Sequence, residues 1–139
     1  MIGKFLRGLG KKIEDPITTA FIYVLLPEPL PPFDRDARYG DPIDAELRLA
    51  GLGYVSGGGA LLSAPAEDGS REIEYCGIDV EANDVDATRA LLRLHLPELG
   101  CVAGTLLEYE ADAELQDEYD GANWHLARPR PFAEPDAFE

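Results

Sequence analysis

No apolar run in this chain is long enough to cross a bilayer. The longest, AFIYVLL at 20–26, falls far short of the roughly 20 residues a spanning helix needs, so stable membrane insertion is not expected. Basic residues are scarce as well: 12 Lys plus Arg stand against 27 Asp plus Glu, a formal net charge of -15. Lys4, Arg7, Lys11 and Lys12 crowd into the start of the chain, which leaves the remainder more acidic still. Phosphate backbones are held by Lys and Arg displacing counterions, so the balance argues against a nucleic-acid partner. It suits a basic protein partner, a mimic of nucleic acid or a collector of cations, or it serves solubility alone.

Cysteine is nearly missing. Cys76 and Cys101 have no CxxC spacing, which removes a zinc ribbon and a disulfide framework and leaves two small buried hydrophobes. The two histidines, His95 and His125, show neither HxH nor HExxH spacing, so no metal site is expected. Serines lack a GxSxG elbow, no cofactor motif is present, and a non-enzymatic role is preferred to catalysis. The basic start is followed by no continuous apolar run of the secretory kind, which points to the cytoplasm.

What is there reads as one domain, since 139 residues can enclose a single core unaided. Residues 1–15 place Ile2, Phe5, Leu6, Leu9 and Ile13 at helical spacing among basic residues, an amphipathic segment that needs a surface. That surface is the protein's own acidic body, a partner subunit or, least in keeping with one short helix, a membrane interface. A single α+β body is expected over 16–125 and a Pro-rich tail over 126–139. Within the body, TTAFIYVLL (18–26) reads as a strand, FDRDARYGDP (33–42) as a polar loop, and the alternation Ile43, Ala45, Leu47, Leu49 as the start of another strand. NDVDATRALLRLHLPELG (83–100) reads as the main helix, capped by Asn83 or Asp84 and stopped by Gly100, and GTLLEYEAD (104–112) as a strand. A hairpin is expected around Asp120 and Gly121. The class is α+β, a mainly antiparallel sheet with one principal helix on one face, ferredoxin-like or split β-α-β.

Two motifs invite function. GLGYVSGGGALLS (51–63) is rich in glycine but has no lysine and does not open a helix, so a bent strand or a close backbone approach fits better than an anion nest. REIEYCGIDVEA (71–82) changes phase: Ile73 and Tyr75 share one parity, Ile78 and Val80 the other. A bulge at Cys76 and Gly77 would bring all four to the core and turn Glu72, Glu74, Asp79 and Glu81 outward as a partner-binding face. The alternative is a small-molecule or cation pocket made by Glu74, Asp79 and Glu81 with His95 nearby.

The Gly-rich strand, the GIDVE strand, the LPELG helix end and the GTLLEY strand together resemble an uncharacterised small bacterial family. The shared positions are glycines, apolar residues and caps, so the resemblance implies a fold and carries over no catalytic residue. In charge and build the chain also resembles immunity proteins that neutralise toxins, an analogy of fold alone. The expectation is therefore an acidic interaction protein for a basic partner, inhibitor or immunity-like in its sharpest form; homo-oligomerisation is compatible with the same features.

Overall fold

The computed structural model of the protein describes residues 15–131. The chain runs through β1 (Ala20–Leu26), a short helix α1 (Pro32–Arg35), a wide π-type turn (Asp36–Gly40), α2 (Asp41–Ala50), β2 (Gly53–Leu62), β3 (Ile73–Ala82), α3 (Val85–Glu98), β4 (Leu106–Glu110), β5 (Glu114–Tyr119) and β6 (Trp124–Pro129). All six strands join one sheet in the order β2-β3-β1-β4-β5-β6, antiparallel at every pairing. The first four strands and their two helical crossovers have the ferredoxin-like order, and β5 and β6 continue it as a meander beyond β4.

β1 is central because it is apolar along its whole length. Ile22, Val24 and Leu26 are fully buried, and they meet Cys76, Ile78, Val80 and Ala82 of β3 and Leu107 and Tyr109 of β4. Ile43 and Leu47 of α2 and Leu92 and Leu96 of α3 close this core from above. Burying each such side chain contributes roughly 1.5–3 kcal/mol, which makes the side of the sheet that the helices cover the apolar core. Cys76 and Cys101 are free thiols inside the core, and burial, the largest influence on each, raises both above the ordinary thiol range.

Several sequence expectations change. Residues 33–50 are helical rather than loop and strand: Pro42 sits in the first turn of α2, Ile43 and Leu47 are one turn apart and buried, and Gly51 ends the helix at φ 71°. Leu49, assigned inward by the alternation, is 84% exposed. β3 shows no bulge at Cys76 and Gly77, because it pairs with β1 without a break from Ala82 to Cys76. Cys76 takes the core position expected of Tyr75, and the irregularities of register fall in the β2–β3 pairing: Ser56 is an extra residue on β2 between Val55 and Gly57, and Glu74 is an extra residue on β3 between Tyr75 and Ile73, two positions before the expected bulge. Part of the expected tail, 126–139, is β6. The expected segment 1–15 lies outside the described residues except for Asp15, whose carboxylate accepts from Arg48 Nη1 at 2.7 Å.

α3 begins and ends as its sequence implies. Asp84 accepts the Ala87 amide at 3.0 Å, and Pro97 falls in the last turn before Gly100 at φ 94°. Its inner face grips the C-terminal meander through one buried carboxylate. Asp117, fully buried, accepts from Arg89 Nε and Nη2 at 2.8 Å each, from Arg93 Nη1 at 3.1 Å, from the Tyr109 hydroxyl at 3.1 Å and from the Ala127 amide at 2.9 Å. Arg89 also lies over the Tyr109 ring at 4.1 Å. Ala127 reaches the carboxylate only by adopting φ 54°, a left-handed conformation that costs roughly 1–2 kcal/mol in an L-residue. Trp124 Nε1 donates to the Arg93 carbonyl at 3.1 Å, a second tie from β6 to α3. In the β5–β6 turn, the amides of Asn123 and Ala122 and the His125 ring hold the Asp120 carboxyl down at about 2.

Burial alone would raise the Asp117 carboxyl, but the Arg89 bonds, the Ala127 amide and the Tyr109 hydroxyl together hold it below the ordinary range. A group depressed in this way stabilises the fold fully above the unfolded carboxylate range, and that contribution fades as pH falls through the native value. Asp117→Asn is expected to cost about 3–5 kcal/mol in urea unfolding at neutral pH, because two arginines lose their buried counter-charge. The gap between wild type and variant should close as pH drops below about 4; a gap independent of pH would contradict the charge argument.

Candidate functional site

With both crossovers on one side of the sheet, the other side has no covering layer among the described residues. Strand alternation fixes what it displays. β1 turns Phe21, Tyr23 and Leu25 that way, β3 contributes Tyr75, Gly77, Asp79 and Glu81, and β4 adds Leu106, Glu108 and Glu110. Cross-strand register sorts them into rows: Tyr23 lies between Asp79 and Glu108, and Leu25 between Gly77 and Leu106. Phe21 and Tyr23 pack edge to face with ring centroids 4.8 Å apart and remain 38% and 44% exposed. A water-facing sheet surface would ordinarily carry threonines and paired charges. This one carries aromatics and carboxylates instead.

Two hollows flank the aromatic pair. The first, about 400 Å³, is lined by residues that include Tyr23, Leu25, Gly59, Gly77, Asp79 and Glu108. The second, about 500 Å³, lies between Thr18, Phe21, Glu81 and Glu110. Ser56 donates to Glu81 Oε2 at 3.1 Å. Among the described residues, Asp79, Glu81, Glu108 and Glu110 form no ion pair with any Lys, Arg or His.

The glycines of β2 explain the first hollow. Gly58 faces the helical layer, where a Cβ would stand 2.6 Å from the Gly77 carbonyl oxygen and 2.7 Å from Cζ of Arg35. Arg35, only 8% exposed, lies under the strand with Nη1 aimed at the Gly59 carbonyl at 3.4 Å and Nε on Asp36 at 2.9 Å. The cluster therefore answers to a close backbone approach, as its lack of a lysine suggested, with an arginine as the approaching group. Gly59 faces the other way, and a Cβ there would meet nothing within 4 Å. Opposite it Gly77 also lacks a side chain, so the two form a bare row across β2 and β3.

The expected site residues separate. Asp79 and Glu81 do lie together on the uncovered face, because their parity does not depend on the absent bulge. Glu72 precedes β3 and is exposed; Glu74 is exposed beside the irregularity at Leu61 and Leu62, and neither lines the hollows. His95 sits on α3, in the helical layer, with Nδ1 3.1 Å from Glu98 and Nε2 3.6 Å from Glu46. The sheet stands between it and Asp79, so the pocket of Glu74, Asp79, Glu81 and His95 is not assembled. Among the described residues no group of three or more His, Cys, Asp or Glu is placed to hold a metal ion. Sequence reasoning missed Phe21, Tyr23, Glu108 and Glu110. The signal was present in AFIYVLL, whose alternate positions are apolar on both parities, a pattern that leaves one apolar side for something other than the core. No protein-family model, curated protein or solved structure matches the chain.

The two central glycines are expected to respond in opposite directions. Gly58→Ala should destabilise by about 1–3 kcal/mol through its clash with backbone and Arg35, whereas Gly59→Ala should stabilise by roughly 0.5–1 kcal/mol by stiffening an open strand position. Urea unfolding of the two variants beside wild type checks both signs.

Proposed function

We propose that the protein is a non-enzymatic binding module whose uncovered sheet face takes a basic protein partner. The observation that carries this reading is the pairing of exposed Phe21 and Tyr23 with Asp79, Glu81, Glu108 and Glu110, none of which is neutralised by a cation among the described residues. Aromatic anchors ringed by polar groups are the usual composition of a protein interface, and an exposed apolar patch on an otherwise charged surface marks a contact site. The surrounding negative potential speeds encounter with a basic surface and weakens as salt screens it. An inhibitor or immunity-type protein would use such a face to blanket a basic toxin or enzyme without any chemistry of its own.

Panning a random peptide library against the immobilised full chain tests the reading. Recovered peptides should be rich in Arg and Lys, lose affinity as salt rises, and bind at least about tenfold more weakly to a Phe21→Ala, Glu81→Gln double variant, the loss expected of an aromatic anchor. Peptides without a basic bias, or peptides indifferent to that double variant, would reject it.

A further inference from the structure

The bare row at Gly59 and Gly77 gives the first hollow a direction. Gly59 pairs with Gly77, and Gly77 with Leu25, so a strip without branched or charged groups runs inward from the β2 edge and stops at Leu25. The next row along the strands holds Gly57, Asp79, Tyr23 and Glu108, which makes one wall aromatic and acidic; Leu61 stands on the opposite side. The result is a trough with an apolar floor that leads to two carboxylates and an aromatic ring, open at the sheet edge.

The fold itself does not require this emptiness. A Cβ at Gly59 would touch nothing within 4 Å, and one at Gly77 would make only ordinary contacts, at 3.5 Å to the Val24 carbonyl and 3.7 Å to Leu25. Glycine weakens a strand, so two glycines that internal packing does not demand are better accounted for by something that enters the space. The edge at the mouth of the trough is open to such an approach. β2 reads GYVSGGGALL over ten residues and carries no charge and no proline, in a chain where 28% of residues are charged. The opposite edge, β6, reads WHLARP and is interrupted by Arg128, Pro129 and the left-handed Ala127. Natural sheets guard edges with charge, proline and distortion; β6 has all three, whereas β2 has the extra residue Ser56 and, at its start, the Val55 amide donating to Asp44 Oδ1 at 2.8 Å, with no such guard over 57–62.

We infer that the trough seats an arginine side chain of an extended partner segment lying along β2. The aliphatic stem would cross the glycine floor, and the guanidinium would meet Asp79, whose carboxylate leans back toward β2 with Oδ2 3.3 Å from the Cβ position of Gly57; Tyr23 and Glu108, one and two strands further in, would supply the wall and field behind it. Arginine matches this end better than lysine, because its planar fork pairs with carboxylates at two points and also stacks on aromatic rings. Beyond Val55, whose amide Asp44 holds, the segment's backbone would pair with the outward-facing main-chain groups of the edge, the strand-addition mode in which main-chain bonds give affinity and side-chain pockets give selectivity. This inference rests on the proposed binding of a basic partner and adds where its key residue goes.

The test uses the isotope-labelled full chain and a seven-residue peptide of alternating threonine and valine with one central arginine, beside the same peptide carrying citrulline, which keeps the shape and removes the charge. Titration by NMR should move the amides of Gly58, Gly59, Gly77 and Asp79, and citrulline should bind at least about tenfold more weakly, as should Asp79→Asn. Gly59→Val fills the floor with a residue favoured in strands; it should leave thermal stability equal or higher while lowering affinity for the arginine peptide at least about tenfold. Equal binding of arginine and citrulline, shifts confined to other surfaces, or wild-type affinity in a folded Gly59→Val variant would overturn the assignment. So would peak positions at the trough that depend on protein concentration without peptide, which would mean that a second copy occupies it. Panned basic peptides that respond to the Phe21→Ala, Glu81→Gln double variant but not to Gly59→Val would remove this seat and leave the broader face intact.

Discussion

Both crossovers lie over the same side of a six-stranded sheet, and that asymmetry governs the rest of the molecule. It gathers the apolar side chains of β1, β3 and β4 beneath α2 and α3, where Ile22, Val24, Ile78, Val80 and Leu107 are sealed from water. It also leaves alternate residues of the same strands without a cover. A strand such as AFIYVLL, apolar on both sides, is stabilised by the helices through one parity and has the other to present outward. The uncovered face and the core are thus two readings of one set of strands.

Two buried polar groups hold this arrangement in register from opposite ends. Asp117 joins β5, β6 and α3 through five donors, strongly enough to keep Ala127 in an unfavourable conformation. At the other end Glu28, 7% exposed, accepts the Tyr39 hydroxyl at 2.7 Å and lies 3.5 Å from Arg38, while Arg35 fills the space below Gly58. Burial, then the bond to Glu28, drives the Tyr39 hydroxyl well above its ordinary range, so it stays protonated and donating. Such partnered charges add little net stability over an apolar core but make displaced arrangements costly, since each slip would strand a charge.

The sequence made the class, the strand order type, β1, α3 with its Asp84 cap and the Asp120 turn legible, because each rests on local signals: periodicity, a capping carboxylate, a turn dipeptide. It misled at 33–50, where Ile43 and Leu47 fit a period of two and a helical turn equally well; Pro42 and Gly51, at the two ends of α2, were the signals that separate the readings. It misled again at Cys76, where a small residue occupies a core position that hydrophobicity alone assigns to Tyr75. β6 was invisible because its attachment is tertiary, through Asp117 and the Arg93 carbonyl. Two residues of the candidate surface, Asp79 and Glu81, could be read from alternation. The second apolar side of AFIYVLL hinted at Phe21 and Tyr23, but only strand order brings them and Glu108 beside the carboxylates of β3.

Cys76 and Cys101 are the chain's two thiols; Cys76 is fully buried and Cys101 is 8% exposed. Their raised proton affinity keeps them in the unreactive form at neutral pH. An alkylating reagent can therefore reach Cys76 only while the sheet and helices stand apart. The molecule thus contains its own clock for spontaneous opening, and oxidative damage in its surroundings would fall on copies that had already come undone.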